Sequence, residues 1–90
     1  MIAVARFSVG TGEDIHPQLA RAYEIFAACD GFLYGEFGQN FDDRSLWTLV
    51  THWKNVGSYR RALSSMAVKM EVVPLLARAI DEPGAYSQDL

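Results

Sequence analysis

The chain has 90 residues and a formal net charge of −3, and half of its residues are apolar. This length predicts a single domain over residues 1–90. The sequence contains neither a basic run that could neutralise nucleic-acid phosphates nor an apolar stretch of about 20 residues that could cross a bilayer. Its N-terminus lacks the regions of a secretory signal, and the single cysteine, Cys29, excludes an internal disulfide. We therefore expect a cytoplasmic protein that binds neither nucleic acid nor membranes.

The first half of the chain predicts a strand, a helix and a second strand. Residues 2–9 are rich in β-branched side chains and end at a glycine-containing turn over 10–12. Asp14 can cap a helix that carries Pro17 in its first turn and ends near Gly31, where glycine can adopt the left-handed conformation. Residues 32–39 form the predicted second strand, which its glycines weaken or open to a close backbone contact.

The second half predicts a turn over 40–45, a strand over 46–53, helices and a short last strand over 85–88. Asn55 or Ser58 can cap the second helix. A further helix from about residue 65 should be kinked or divided by Pro74, which has no backbone donor. Helical spacing suggests one buried face on this segment, formed by Met66, Met70, Val73, Leu76 and Ile80.

This order of elements predicts an α+β fold of the ferredoxin-like, split βαβ type, with a four-stranded antiparallel sheet and its helices on one face. The strand over 46–53 places Trp47, Leu49, Thr51 and Trp53 on one side and Leu46, Thr48, Val50 and His52 on the other. Neither side is of the solvent-exposed type. Because helices can cover only one of them, we expect a homodimer in which two sheets pack against each other.

Two segments resemble the antibiotic-biosynthesis-monooxygenase-like family. The first is the apolar strand Leu46–Lys54 followed by Val56–Leu63, which matches a strand ending in Trp, a few polar residues and an aromatic residue at a helix start. The second is Asp30–Gly35, which is similar to the Gly-Phe segment at the start of the family's second strand. The resemblance covers most of residues 2–80 and implies the dimeric α+β barrel fold.

The resemblance implies several activities. Some members oxidise anthrone-like molecules with molecular oxygen and without a cofactor, others cleave haem, and many have no known activity. The haem-degrading branch relies on an Asn on the first strand, a Trp on the second helix and a His beyond it. Here the first strand has no Asn, Ala62 lies near the position of that Trp, and residues 64–80 contain no His. We therefore expect no haem degradation.

His52 is the candidate catalytic residue because it is the one imidazole within a predicted strand. A cofactor-free monooxygenase must remove a proton from an electron-rich phenol or anthrone before that substrate reacts with oxygen, and a histidine suits this task near neutral pH. The alternative is a structural histidine at a sheet edge or interface. His16, which precedes Pro17 at a helix start, is expected to be exposed.

The eleven aromatic residues exceed what a thin core can readily hide, so some should line a ligand pocket or a partner surface. The predicted pocket for an aromatic substrate consists of Phe7, Tyr23, Phe26, Tyr34, Trp47, Trp53, Tyr59 and Arg60. For at least half of these residues, an ordinary core position is the competing interpretation. Met66 and Met70 are expected to fill the core, and Cys29 to be a small buried apolar residue.

We expect no metal and no cofactor. The Glu13-Asp14-His16 and Asp42-Asp43 segments have no metal-ligand spacing with a third ligand, and no phosphate-binding glycine loop follows a strand. Two function classes remain. One is a cofactor-independent monooxygenase that acts on a small aromatic or polyketide-like substrate with molecular oxygen. The other is a non-catalytic dimeric domain that binds a small ligand or assists another protein. A pocket with a buried titratable group would favour the first, and a filled core the second.

Overall fold

A computed structural model describes residues 1–89 and shows four strands and four helices in this part of the chain. In chain order they are β1 (Ile2–Ser8), α1 (His16–Ala27), β2 (Phe32–Gln39), β3 (Leu46–Trp53), α2 (Val56–Ser64), α3 (Met66–Glu71), α4 (Val73–Leu76) and β4 (Ala85–Tyr86). The strands form one antiparallel sheet in the order β2-β3-β1-β4. The predicted α+β, ferredoxin-like fold is therefore confirmed, with the helices packed on one face of the sheet.

The side chains of β3 alternate between the two faces of the sheet. Its odd-numbered residues, Trp47 to Trp53, are buried beneath the helices, whereas the even-numbered ones, Leu46 to His52, are half-buried on the other side. We call the first side the helix face and the second the outer face. On the helix face, β1 contributes Phe7 opposite Trp47, and α1 contributes its buried side chains. The largest fully buried side chains are Trp53, Phe7, Phe26, Ile15, Leu19, Val68 and Val72.

The helix ends follow the predicted signals with two corrections, of which the first is that α1 ends at Ala27 and not near Gly31. Asn55 caps α2, and its side chain accepts a hydrogen bond from the Ser58 backbone N–H at 2.8 Å. Asp14 is not the N-cap of α1, because the helix begins at His16 after an Ile15 without a side-chain cap. Its carboxylate instead accepts a hydrogen bond from the His16 backbone N–H at 3.0 Å, just before the first turn that Pro17 fixes.

Glycine is required at the turn between α1 and β2. Gly31 has a φ of +86°, which lies in the left-handed region, and a Cβ there would come within 2.4 Å of the Ser58 side chain. The turn that the sequence predicted at this position thus also brings the start of β2 against α2.

The predicted buried face of the third helical segment is wrong. The segment divides at Val72, as Pro74 led us to expect, but Met66 and Met70 are 74 % and 69 % exposed. The buried residues are instead Val68, Val72 and Leu75. Both sets have helical spacing, so periodicity alone did not distinguish them. The methionines are therefore surface residues and not core filler.

The C-terminal segment runs back along β1 before the two residues of β4. The Val4 backbone N–H donates a hydrogen bond to the Gly84 carbonyl at 2.7 Å, and Arg6 forms two hydrogen bonds with the Glu82 carboxylate. β4 covers residues 85–86 of the predicted 85–88. Within the described part of the chain, no helix is long and apolar enough to cross a membrane.

Candidate functional site

An aromatic cluster lies between the helices and the sheet at the C-terminal end of β3. The Trp53 ring contacts Phe26 of α1 and Phe32 of β2 edge to face, with ring centroids 5.4 Å apart in both cases, and Tyr59 of α2 at 5.5 Å. Edge-to-face contacts of this kind are favourable beyond simple burial. We call these four residues the aromatic cluster. Three of its members, Phe26, Trp53 and Tyr59, belong to the predicted substrate pocket.

Two hydroxyl groups lie beside the aromatic cluster. The Trp53 indole N–H donates a hydrogen bond to Thr51 Oγ1 at 2.8 Å, and both residues are buried. Burial raises the pKa of the Tyr59 phenol above its ordinary value. Tyr59 therefore stays protonated at neutral pH and can donate a hydrogen bond, whereas it is a poor base.

Thr51 and Tyr59 both line a small cavity. It has a volume of about 10 Å³ and is otherwise apolar, lined by Ala3, Val4, Ala5, Phe26, Leu49, Thr51, Tyr59 and Leu76. This volume corresponds to about one water molecule. This cavity is therefore too small to hold an aromatic ligand.

His52 lies on the outer face of the sheet, apart from the aromatic cluster. Its ring stacks on Tyr34, with centroids 4.0 Å apart and planes inclined by 13°. Tyr34 is 55 % exposed. Because the backbone of β3 separates His52 from Trp53, the structure divides the predicted site. The candidate base and Tyr34 are on one face, and the other predicted aromatic residues are on the helix face.

The remaining pocket candidates are spread over the helix side. Tyr23 is half-buried and contacts Phe32 with ring centroids 5.7 Å apart, next to the aromatic cluster. Phe7 and Trp47 pair across β1 and β3 at the opposite end of the sheet. Arg60 is exposed on α2 and does not face the cluster cavity. Within residues 1–89, no group of three His, Cys, Asp or Glu side chains is arranged to hold a metal ion.

Sequence reasoning missed Thr51 and Phe32 as members of this site. Thr51 lies between Leu49 and Trp53 on the buried side of β3, and a hydroxyl on this otherwise apolar side could have indicated a site residue. Phe32 belongs to the Gly-Phe segment that carried the family resemblance. A register shift between Phe32 and Tyr34 places Phe32 opposite Trp53 on the helix face, which residue types alone do not predict.

No family sequence model matches the chain, and no curated protein matches it in sequence. Several solved structures share its fold. A single-residue mutant of SnoaB, a cofactor-independent oxygenase from Streptomyces nogalater, is 23% identical and superimposes with a TM-score of 0.83 over 99% of this chain and 92% of its own.

Two further structures are candidate antibiotic biosynthesis monooxygenases. The Bordetella bronchiseptica protein is 17% identical, with a TM-score of 0.75 over 99% of this chain and 95% of its own. The Deinococcus radiodurans protein is also 17% identical, with a TM-score of 0.72 over 99% of this chain and 97% of its own. The fold that the resemblance implied for one chain is thereby confirmed: the chain has the fold of the antibiotic-biosynthesis-monooxygenase-like proteins.

Proposed function

We propose that this protein is a cofactor-independent monooxygenase that oxidises a small aromatic or polyketide-like substrate with molecular oxygen. The observation that carries the proposal is the likeness in fold, over 99% of the chain, to SnoaB, which is described as a cofactor-independent oxygenase. Fold alone does not fix chemistry. Polar groups in and beside the aromatic cluster provide the further support.

The aromatic cluster supplies edges and faces against which a flat ring system can pack. Thr51 Oγ1 accepts the Trp53 N–H, which leaves the threonine proton for a ligand oxygen. The Tyr59 phenol, kept protonated by its raised pKa, offers a second donor at the same cavity. Two donors at one cavity suit a substrate oxygen that becomes negatively charged during the reaction.

The proposed reaction balances without a bound cofactor. An anthrone-type substrate first loses a proton from its methylene carbon, and the resulting anion reduces oxygen. The methylene carbon loses its two hydrogens and gains one oxygen atom as a carbonyl, and the second oxygen atom leaves as water. Hydrogen bonds from Thr51 and Tyr59 stabilise the substrate anion, so that the proton can pass to water.

His52 can act as the general base only on a substrate bound at the outer face, beside Tyr34. Substrate binding on the helix face instead requires the α2–α4 segment, including Leu76, to move away from the sheet, because the cavity there holds only about 10 Å³. A site on the helix face and a site on the outer face therefore predict opposite effects on the oxidation rate for two variants, Tyr59→Phe and His52→Ala.

Oxygen consumption with a panel of anthrone, naphthol and quinol substrates tests the proposal. With the helix-face site, Tyr59→Phe should slow oxygen uptake by about 10²-fold, the usual cost of losing one such donor. His52→Ala should retain the wild-type rate. The reverse result, with a loss of about 10²–10⁴-fold for His52→Ala, would move the site to the outer face with His52 as base. If the wild type consumes no oxygen with any member of the panel, the oxygenase proposal is wrong.

The second function class has one specific observation in its favour, the small size of the helix-face cavity. A non-catalytic dimeric domain that binds a small ligand or assists another protein needs no preformed reaction chamber. Tryptophan fluorescence that responds to an aromatic ligand, without any oxygen uptake, would support this class.

We also propose that the protein is a homodimer whose sheets meet at their outer faces. One copy leaves this face without a covering layer, although Ile2, Val4, Leu46 and Val50 are all apolar and half-buried there. Antiparallel sheets that are apolar on both faces usually pack against a second sheet. Light scattering on a gel-filtration peak should give twice the mass of one chain, and a monomer that persists at high micromolar concentration would contradict the proposal.

A further inference from the structure

The cavity beside Thr51 and Tyr59 is lined on one side by Leu76, which is the residue that α4 contributes to its wall. The other lining residues belong to β1, β3, α1 and α2. Leu76 is half-buried, so its side chain contacts the cavity with one part and solvent with another. Leu76 therefore forms part of the wall between the cavity and the solvent.

The rest of the cavity wall is held more firmly than Leu76. β1 and β3 are joined by an antiparallel ladder along the whole of β1, which fixes the sheet side of the cavity. Phe26 is 1 % exposed, and both Phe26 and Tyr59 contact the Trp53 ring. Moving either of these two rings would disrupt the aromatic cluster, whereas moving Leu76 would not.

The chain that carries Leu76 is separated from α3 by Pro74. This residue has no backbone N–H, so it cannot donate the hydrogen bond that would continue α3 into α4. Before it, Val72 is 0 % exposed and is fixed in the core. After α4, the Ile80 backbone N–H donates a hydrogen bond to the Arg6 carbonyl at 2.8 Å. Residues 73–79 lie between these two fixed points, and we call them the gate segment.

The gate segment has few buried contacts of its own. Leu75 is its one buried residue, and Val73, Pro74, Ala77 and Arg78 are exposed. Arg78 forms an ion pair with Glu13, but both side chains are exposed to solvent, and such pairs contribute little to stability. Segments with few buried apolar contacts are the ones that open locally at the lowest cost. The gate segment is therefore the part of the cavity wall best suited to open.

We propose that the gate segment controls the entry of the aromatic substrate, with Leu76 as the residue that closes the cavity and limits the size of the ligand. This inference rests on the proposed function, with its substrate site on the helix face. The closed cavity of about 10 Å³ excludes a ring, so an aromatic ligand binds only after Leu76 has moved outward. The apparent affinity is then reduced by the fraction of molecules in the open conformation.

Binding of 1-naphthol under nitrogen tests the proposal, because no oxidation follows binding when oxygen is absent. Leu76→Ala removes the closing side chain and should lower the dissociation constant at least about tenfold, since minor conformers are typically about 0.1–10 % populated. Pro74→Ala restores the backbone donor and should stiffen the gate segment, which slows association about two- to fivefold. Isothermal titration calorimetry measures the dissociation constant, and stopped-flow tryptophan fluorescence measures the association rate.

Matched variants distinguish a gate from a general loosening of the fold. Leu63→Ala truncates a half-buried leucine of α2 that does not line the cavity, and it should keep the wild-type dissociation constant. Pro17→Ala changes the proline in the first turn of α1 and should keep the wild-type association rate. Leu76→Val is less disruptive than Leu76→Ala and should change the dissociation constant in the same direction.

Three results would overturn the gate. They are equal dissociation constants for Leu76→Ala and the wild type, an equal gain in affinity from Leu63→Ala, and no binding of 1-naphthol to the wild type or to Leu76→Ala. Failure of the oxygenase proposal gives a different result. In that case 1-naphthol binds with the expected effects of the variants, but no member of the substrate panel supports oxygen uptake.

Discussion

Thr51 is a single residue that contributes both to the stability of the fold and to the proposed chemistry. It is 2 % exposed on the helix face of β3, where its neighbours along the strand, Leu49 and Trp53, are apolar. A hydroxyl at such a position is stable only when it is hydrogen-bonded, and the Trp53 indole supplies the bond. The same bond fixes the orientation of the Trp53 ring within the aromatic cluster.

Thr51→Val should therefore destabilise the protein although valine has nearly the same shape. The change leaves the buried Trp53 N–H without an acceptor, which costs about 1–3 kcal/mol in the free energy of unfolding. Urea denaturation measures this value. Thr48→Val is the matched control on the outer face, where the hydroxyl donates a longer hydrogen bond of 3.3 Å to the Ala5 carbonyl. Equal losses for the two variants would contradict the role assigned to Thr51.

The sequence predicted residue environments where alternation was unambiguous and failed where two patterns were equivalent. The division of the β3 residues between two faces was predicted from its period of two, but not which face is buried. Met66 and Met70 were misplaced because the set containing Val68 and Val72 has the same helical spacing. His52 was correctly assigned to the opposite side of β3 from Trp53, but its separation from the pocket residues of α1 and α2 depends on which face the helices cover.

At the scale of elements, β2 is shaped by a close approach to β3. A Cβ on Gly35 would lie 2.6 Å from the Val50 carbonyl oxygen, whereas a Cβ on Gly38 in the same strand would meet no atom within 4 Å. The glycines that weakened the strand prediction thus have different roles. Gly35 is required by packing, and Gly38 is not.

Gly35→Ala should lower the free energy of unfolding by about 1–3 kcal/mol, because the added methyl group cannot be accommodated without moving backbone. Gly38→Ala should change the same quantity by no more than about 0.5 kcal/mol, or stabilise the strand slightly. Urea denaturation of both variants checks the difference. A harmless Gly35→Ala would show that β2 does not approach β3 as described.

The strands were predicted more accurately than the helix ends. Residues 32–39 and 46–53 match β2 and β3, since apolar alternation and flanking turn residues both marked their limits. The start of α1 and the division between α3 and α4 at Val72 depend on how each helix packs on the sheet, which local signals do not encode. Pro74 did predict that a division would occur.

The C-terminal segment is attached to β1 partly by the Arg6–Glu82 ion pair. Hydrogen bonds from Arg6 lower the pKa of the Glu82 carboxyl below its ordinary value of 4.5, and the charge of Arg6 adds to this effect. A carboxyl whose pKa is lower in the folded chain than in the unfolded chain stabilises the fold above the unfolded pKa. This stabilisation is lost as the pH falls through the folded pKa.

Glu82→Gln should therefore lower the thermal midpoint at about pH 7, and the difference from the wild type should vanish as the pH falls below the lowered pKa of the Glu82 carboxyl. The pair is solvent-exposed, so the effect should be small and should decrease with added salt. Glu24→Gln is the control, because Glu24 lies farther from its partner Arg21, at 3.7 Å. A difference that persists at low pH would exclude the ion pair as its cause.

At the scale of the whole molecule, the proposed dimer depends on the outer face of the sheet. Val50 lies on this face opposite Val4 of β1 and Glu36 of β2. Val50→Lys would bring two ammonium groups into the proposed sheet-to-sheet interface while leaving the helix-face core unchanged. Gel filtration with light scattering should then give the mass of one chain.

Met70→Lys is the matched control, because Met70 is 69 % exposed on the helix side of the protein. This variant should remain a dimer. Dissociation of both variants, or of neither, would contradict an interface formed by the outer face. The fold of one chain was predicted correctly from the sequence, but the homodimer remains a prediction that these variants test.

Oxidation of an anthrone under ¹⁸O₂ by the wild-type protein, with a metal chelator present and no flavin added, is the most direct test of the proposed function. The proposed reaction places one labelled oxygen atom in each product molecule and releases the other as water. Mass spectrometry of the product should therefore show one ¹⁸O per anthrone oxidised, at a rate that exceeds the protein-free reaction and falls with Tyr59→Phe. Product without label, or no acceleration over the protein-free reaction, would contradict a cofactor-independent monooxygenase.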